Sequence, residues 1–353
     1  MALDEMREHG HEQVTYFSEP EADLRAIVAI HDTSLGPSLG GTRVLDYDTE
    51  QAARDDVLRL SRAMTYKAAA ADLDLGGGKA VIIGNPAEIK DDALFEAYGR
   101  AIDSLAGRYI TSVDVNSTVA DMDVVAHETD HVVGTSDGLS DPSPVTAHGA
   151  LHGIRACVEH RYGRDSLADR SVAVQGIGKV GTSLVEKLLE RGAHVTVTDV
   201  DEDALGAFAE EYDVDTVEPD AIYDEPCDVF VPCAVGGVIN DETIPRLSCD
   251  IVAGVANNVL AQRRHASALE GAGIDYAPDY VLNAGGLITV EQEYRGGSLE
   301  TAYADAERIG DRLLEMIEHA EDSGMTVLDA AEAYAEDRLA GTGGGLEPLP
   351  GAP

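Results

Sequence analysis

The chain has 353 residues, enough for one or two domains with a sizeable core. It carries 66 acidic against 25 basic residues, a formal charge of −41, which argues against nucleic acid or an anionic membrane surface as partner. A disordered acidic chain is excluded as well, because 44% of the residues are hydrophobic and they fall into periodic segments.

Self-repulsion of this size suits a protein that works in concentrated salt, where screening is short-ranged. A halophilic, cytoplasmic protein is therefore expected. No run of about 18 or more apolar residues occurs, so no membrane span is predicted. The stretch from Met1 to His11 is charged and polar, unlike a signal peptide. Cys157, Cys227, Cys233 and Cys249 show no paired metal spacing and read as buried, reduced thiols. The Gly- and Pro-rich end, Gly341 to Pro353, reads as a loose tail.

In chain order, Leu24 to His31 is a strand candidate, and a turn-rich stretch leads to Leu39-Gly40-Gly41-Thr42-Arg43. Thr49 can cap a helix running to about Lys67, with Ala53, Val57, Leu60, Met64 and Lys67 along one face. Lys67 would then end the inward stripe. Gly76-Gly77-Gly78 breaks the pattern as a glycine bend that lets backbone approach closely, after which Lys79 opens a short buried strand, Ala80 to Ile83. The chain has only five lysines, and two of them sit in this apolar, small-residue stretch. An ammonium near apolar walls loses solvation and its pKa falls, which makes it a base or an activated amine. The alternative is a pair of snorkelling lysines, one at a helix end and one at a strand edge.

A helix is predicted over 91–106. Tyr109 to Val113 reads as a strand that delivers Asp114 at its carboxyl end, where open α/β sheets handle ligands. Asp114 could equally cap the turn that follows. A short helix begins at Asp121. The Pro- and Gly-rich stretch from Asp137 to Pro144 suggests a domain boundary, with Ser143 capping a helix and Pro144 at its first position. His148 and His152 lie four apart, but the sequence shows no third ligand, so no metal is expected.

Ser171 to Val174 is a strand, followed by Gln175-Gly176-Ile177-Gly178-Lys179-Val180-Gly181, a helix, and a strand ending at Asp199. A glycine pattern in that setting, with an acidic residue at the next strand end, is the dinucleotide fingerprint. The glycines give a tight turn and let pyrophosphate reach N–H groups at the helix start. Asp199 would bond both adenosine-ribose hydroxyls and repel a 2′-phosphate, which favours NAD over NADP. A purely structural glycine turn is the alternative. The sheet is predicted to continue through Cys227–Cys233, Asp250–Val255, Ile274–Ala277 and Tyr280–Asn283. The strand ends Cys233-Ala234, Ala256-Asn257-Asn258 and Asn283 suit a ribose and a nicotinamide carboxamide, or ordinary turns. Helices over 299–322 and 326–340 are expected to return across a cleft to the first domain. The expected architecture is α/β with two domains: a substrate-binding domain over 1–134, to which the resemblance set out below adds oligomerisation, and a Rossmann-type NAD domain over 135–298. The active site would lie in the cleft between them, and the returning helices and tail would fill 299–353.

Leu39-Gly40-Gly41-Thr42-Arg43, Leu60 to Lys67 and Leu75-Gly76-Gly77-Gly78-Lys79-Ala80 together resemble the amino acid dehydrogenases. The resemblance is closest to the leucine, valine and phenylalanine dehydrogenase branch of the glutamate dehydrogenase superfamily and extends to about residue 300. It implies reversible oxidative deamination of a small-molecule L-amino acid with NAD, and a homo-oligomer. It implies that Lys67 binds the substrate carboxylate beside Gly40 and Met64, and that Lys79, depressed by Lys67 and burial, activates water. Asp114 would shuttle protons. Thr146 would contact the carboxamide, and Val200 would lie beside Asp199 at the ribose. Relatives that take glutamate carry lysine at the position of Leu39, so an apolar side chain is implied, with Val113, Leu287 and Val290 lining the same pocket. Leucine, valine or isoleucine is the expected substrate. Phenylalanine or glutamate, or a non-catalytic NAD-binding regulator on the same fold, are the alternatives. Val113 is bulkier than the alanine usual in leucine enzymes, and Asn116-Ser117 replaces the commoner Gly-Thr beside Asp114.

Overall fold

Leu24 and Ala26 to Ile30 are buried, with only Arg25 between them exposed, and their alternation sends them to two different cores. Leu24, Ala26, Val28 and Ile30 join one cluster, and Ile27 and Ala29 the other, as a strand covered on both faces requires. The computed structural model describes residues 2–139 and 141–341. The Gly- and Pro-rich end beyond residue 341 lies outside the described residues, as does Ser140 in the predicted boundary stretch. The chain divides into two units, Met1–Ser140 with Glu293–Gly296 and Glu332–Pro353, and Asp141–Gln292 with Gly297–Ala331.

The first unit contains α1 (Ala2–His9), β1 (Gln13–Glu19), β2 (Leu24–Asp32), β3 (Ser38–Leu45), α2 (Glu50–Ala70), β4 (Gly76–Ile83), α3 (Pro86–Ile89), α4 (Asp92–Asp103), β5 (Tyr109–Val113) and α5 (Val119–Val125). Its sheet runs β1-β2-β4-β3-β5, antiparallel on the β1 side and parallel from β4 to β5. One face packs on α4 and α5 through Leu94, Phe95, Tyr98, Ile102, Met122 and Val125. The other packs on α2 through Ala53, Val57 and Leu58.

The Gly76–Gly78 stretch is not a bend but the buried start of β4, and the close backbone approach expected of its glycines is present. A Cβ on Gly77 would overlap the Thr65 backbone nitrogen and hydroxyl and lie 2.6 Å from the Ser61 carbonyl oxygen. Glycine is therefore needed because α2 lies directly on the strand. That approach also rotates the buried stripe of α2. It runs through Leu58, Ser61, Thr65 and Ala68, while Leu60, Met64 and Lys67 are only half-buried. Thr49 does cap α2, accepting from the Ala52 N–H at 3.0 Å. The stretch read as turn-rich, Asp32 to Gly41, runs into the first half of β3, whose glycines masked its strand pattern.

The second unit contains α6 (Ser143–Tyr162), β6 (Ser171–Gln175), α7 (Lys179–Glu190), β7 (His194–Thr198), α8 (Glu202–Tyr212), β8 (Asp215–Thr216), β9 (Cys227–Pro232), β10 (Cys249–Val252), α9 (His265–Gly271), β11 (Asp275–Tyr276), α10 (Asp279–Leu282), α11 (Gly285–Tyr294, whose last two residues belong to the first unit) and α12 (Leu299–Ser323), while α13 (Val327–Leu339) begins in it and joins the first unit from Glu332. Its strands are all parallel in the order β11-β10-β9-β6-β7-β8. This is the doubly wound dinucleotide-binding order, with its switch point between β6 and β9.

Four expectations need correction here. Tyr280 to Asn283 is not a strand: α10 follows Pro278, and a short apolar run does not separate strand from helix. The unit boundary falls after Ser140 rather than after residue 134. The helix α12 does not return to the first unit but packs along α6 in the second, and the chain rejoins the first unit only at Glu332. Helix α6 begins at Ser143 with Pro142 in the capping position, one residue earlier than predicted. The cysteines are free, and Cys157 is buried while Cys227, Cys233 and Cys249 are half-buried. Among the described residues, no helix is long and apolar enough to cross a membrane.

Candidate functional site

In β4, the alternation that puts Val81 and Ile83 in the core under α2 puts Lys79 on that same face. Lys79 is 6% exposed, and its Nζ lies 3.0 Å from Oδ2 of Asp114. Arg43 Nε, from β3, reaches the same oxygen at 3.2 Å. Arg43 is also held by Asp56 of α2 at 2.9 Å, and Asp56 accepts from Tyr47 Oη at 2.7 Å. Burial pushes the Lys79 pKa down, Asp114 pulls it back up, and the Arg43 charge lowers it again; the net shift is downward. Burial would raise the Asp114 carboxyl, but Lys79 and then Arg43 hold it below its ordinary value. Arg43 is thus a cation that depresses Lys79 beyond burial. Arg43 stood in the quoted Gly-Gly-Thr-Arg motif but received no role. The signal was its place two residues after Gly41, on a strand paired with the one that carries Asp114.

The loop after β5 is fixed by its own side chains. The Asp114 N–H donates to Ser117 Oγ at 2.9 Å, and Ser117 Oγ donates to the Thr42 carbonyl at 2.7 Å. Asn116 adopts φ 59°, a left-handed conformation that asparagine tolerates, and Nδ2 donates to the Val44 carbonyl at 3.0 Å. Asn116-Ser117 therefore anchors Asp114 to β3. A Cβ on Gly41 would meet the Val113 carbonyl oxygen at 2.5 Å and Asp114 Cβ at 2.7 Å, so glycine is needed there. Leu39 and Gly40 are buried in β3, Met64 and Lys67 are half-buried in α2, and Val113 is exposed at the end of β5. Leu287 and Val290 lie on α11, buried and half-buried respectively.

In the second unit, Gly176, Asp199 and Cys233 directly follow the carboxyl ends of β6, β7 and β9, while Thr146 lies on α6, Lys179 and Val180 on α7, and Asn283 after α10. Gly176 has φ 101°, and a Cβ there would lie 2.7 Å from Ala234 Cβ and 2.9 Å from Ala234 N. The two loops of the switch point therefore touch at a glycine. Gly181 lets α7 pack against the Gly176 carbonyl. Gly178 caps α7 without a side-chain bond, and its Cβ position is open to 4 Å. This leaves free N–H groups and a bare backbone at a helix N-terminus, the cradle a pyrophosphate needs. Ile177 lies half-buried in this turn and its N–H donates to Asp199 Oδ2 at 2.9 Å, while the Asp201 N–H donates to Oδ1 at 3.1 Å. Each carboxylate oxygen keeps a further lone pair for a ribose hydroxyl. Val180 is half-buried on α7, Val200 is 86% exposed, and Lys179 is exposed and pairs with Asp141 at 2.8 Å.

Asn283 is buried after α10 and donates to the Val255 carbonyl and to Asn257 Oδ1, both at 3.2 Å. Its own Oδ1 is buried without a partner, an acceptor waiting for an amide. Thr146 is buried on the first turn of α6, and a Cβ on Gly285 would come 2.6 Å from its Cα. Ala256 is buried and Asn258 takes φ 55°, while Cys233 follows β9 half-buried. These residues fit the nicotinamide and adenosine halves of a dinucleotide. Farther along α6, Glu307 of α12 joins His148 and His152, a third acidic group that the sequence had not brought into view.

The chain belongs to the glutamate/leucine/phenylalanine/valine dehydrogenase family, which makes it an oxidoreductase, an amino acid dehydrogenase dependent on a pyridine nucleotide. The family's dimerisation-domain pattern matches residues 11–131, and its dehydrogenase pattern matches residues 199–342. Leucine dehydrogenase of Bacillus cereus is 46% identical over 338 residues, covering 95% of this chain and 92% of the relative. L-tryptophan dehydrogenase of Nostoc punctiforme is 47% identical over 340 residues, covering 96% of each. A crystal structure of L-tryptophan dehydrogenase from Nostoc punctiforme superposes with a TM-score of 0.88 at 45% identity, covering 97% of this chain and 99% of that one. Phenylalanine dehydrogenase of Bacillus thermotolerans is 46% identical over 341 residues, covering 94% of this chain and 89% of the relative.

Proposed function

We propose that the chain catalyses NAD-dependent, reversible oxidative deamination of a branched-chain L-amino acid, with leucine, valine or isoleucine as substrate. L-Amino acid, NAD and water give the 2-oxo acid, NADH, ammonium and a proton. The observation that carries the substrate class is Leu39, which is 2% exposed and apolar. A second substrate carboxylate buried against it would go unpaired, at a cost of several kcal/mol. A specific observation keeps an aromatic substrate as the second reading: the relatives named for tryptophan and phenylalanine are as similar as the one named for leucine.

Bound NAD supplies the hydride acceptor. Its adenosine ribose is held by Asp199, its pyrophosphate by Gly176 to Gly181, and its carboxamide by Thr146 and Asn283. Asp199 disfavours a 2′-phosphate by charge, which supports NAD over NADP. Lys67 holds the substrate carboxylate as a fixed positive charge. Lys79, made easier to deprotonate by burial, takes a proton from the attacking water and then steadies the developing oxyanion. Asp114, 3.0 Å from the amine, passes protons between Lys79 and the substrate nitrogen. The dimerisation-domain match supports a homo-oligomer, and the charge of −41 supports work in concentrated salt in a cytoplasm.

The test is NADH or NADPH oxidation with ammonium and a series of 2-oxo acids in molar salt. 2-Oxoisocaproate and 2-oxoisovalerate with NADH should lead. If phenylpyruvate or indolepyruvate leads, the aromatic reading replaces the branched one; if 2-oxoglutarate leads, the Leu39 argument fails. No turnover at any salt or pH would favour a regulator. Leu39→Lys should lower kcat/KM for the branched oxo acids by at least about tenfold and raise it for 2-oxoglutarate, since one well-placed group is worth roughly 1–3 kcal/mol.

The pH profile carries a further expectation. Asp114 raises the Lys79 pKa and Arg43 lowers it, so their removal should act in opposite directions. In the deamination direction, the rising limb of kcat/KM marks deprotonation of Lys79. Arg43→Gln should move that limb to higher pH and Asp114→Asn to lower pH, the latter with a large loss of rate. Two shifts of the same sign would show that another group sets the limb.

A further inference from the structure

On α6, His148 and His152 stand one turn apart, and Glu307 reaches them from α12. One ligand atom of each lies within 4.8 Å of the others. We propose that these three side chains bind one borderline divalent cation of the Zn²⁺, Co²⁺ or Ni²⁺ type, which clasps α6 to α12 within the second unit.

The positions of the three groups follow from close packing of the two helices. A Cβ on Gly149 would come 2.5 Å from Ile309 Cδ1, and one on Gly310 would come 2.9 Å from the His152 carbonyl oxygen. The backbones therefore approach at two glycines, which fixes their register and brings the side chains at the rim together. His148 Nε2 already lies 3.2 Å from Glu307 Oε1. Ligands about 2.0–2.1 Å from a tetrahedral ion stand roughly 3.3 Å apart, so this edge is already set. His148 and His152 have ring centroids 4.8 Å apart, and the Tyr303 ring packs edge-on against His148 at 5.1 Å, limiting its rotation.

The donor set selects the ion. Two imidazoles and one carboxylate suit Zn²⁺, Co²⁺ and Ni²⁺ better than Mg²⁺ or Ca²⁺, which prefer oxygen donors. Burial, and then the neighbouring His148, hold the His152 pKa below its ordinary value. The charges of Arg155 and Arg191 also reach His152 and oppose a cation, while Glu307 favours one. The Glu307 side chain is 55% exposed, so water can fill the fourth position. The site touches none of the groups assigned to the reaction, so its bound state is read by stability rather than by turnover.

The experiment uses the full chain, stripped with EDTA and dialysed into metal-free buffer with molar KCl. ZnCl₂ and CoCl₂ are titrated into it and into His152→Ala and Glu307→Gln proteins, with calorimetry, visible absorption and thermal melting as readouts. One ion per chain is expected, with the intense bands of tetrahedral Co²⁺ and a rise in Tm with Zn²⁺. His152→Ala should lose more affinity than the roughly 10–100-fold that outer groups around a metal cost, and should lose both the bands and the Tm rise. Glu307→Gln, at a more exposed position, makes the same comparison if His152→Ala folds poorly. Equal affinity and stoichiometry in the original and both variants would overturn the proposal by placing the ion elsewhere among the 11 histidines. So would the absence of any binding at 100-fold molar excess of Zn²⁺.

Discussion

Lys79→Ala is expected to lower kcat for deamination by about 10²–10⁴-fold, the range over which a positioned acid–base group contributes. In free-energy terms this is about 3–5 kcal/mol of barrier. The effect should fall on kcat, because the nucleotide groups Gly176, Asp199 and Asn283 all lie in the other unit. NADH binding, measured by fluorescence titration, should change by less than about threefold. The variant leaves Arg43 at 3.2 Å from Asp114, so the carboxylate stays paired and the fold is retained. Lys79→Arg discriminates between two roles for the amine. A guanidinium keeps the charge but cannot deprotonate in a protein, so it can steady an oxyanion but not take a proton from water. Failure of Lys79→Arg to recover even a tenth of the rate fits a base. Recovery to near the original rate would reduce Lys79 to a fixed charge, and a normal rate in Lys79→Ala would remove it from the mechanism.

The parts of this arrangement that were legible in the sequence are local ones. Thr49 announces α2 because a cap is a short-range bond between its hydroxyl and an N–H three residues on. The β6–α7–β7 unit announces itself because its glycines, helix and terminal Asp199 must occur in that order for the turn to work. The relation of Lys79 to Asp114 came only from resemblance, since no spacing rule connects strands that are brought together by the sheet. Arg43 went without a role for the same reason. The close backbone approach at Gly76 to Gly78 was legible, but the bend was not borne out, because glycine serves both a bend and a strand that other elements approach closely. The two cases differ only in what lies opposite, which at Gly77 is Ser61 and Thr65. Glu307 is far along the chain from His148 and His152, and only the packing of α12 on α6 brings it near.

Two glycines in this chain should respond to alanine in opposite ways, because one faces backbone and the other faces open space. In Gly77→Ala the new methyl must displace α2 from β4, since it would overlap Thr65 N and lie 2.6 Å from the Ser61 carbonyl. Neither is the tip of a flexible side chain. Overpacking typically costs about 1–3 kcal/mol, and a backbone obstacle places this change at or above the top of that range. For two-state unfolding this lowers the denaturant midpoint with little change in slope. Activity should also fall, because β4 carries Lys79 and α2 carries Lys67. Gly178 has φ −62° and no atom within 4 Å of its Cβ position, so alanine fits the backbone without strain. Stability of Gly178→Ala should stay within about 0.5 kcal/mol of the original, the usual band for unobstructed surface changes. The methyl would nevertheless stand at the bare N-terminus of α7, where the pyrophosphate is proposed to approach its N–H groups. KM for NAD should rise by at least about tenfold, or roughly 1.4 kcal/mol, with the oxo-acid preference unchanged. Unchanged KM in a stable Gly178→Ala protein would place the dinucleotide away from this turn. A Gly77→Ala protein as stable as the original would mean that α2 does not rest on β4 through that glycine.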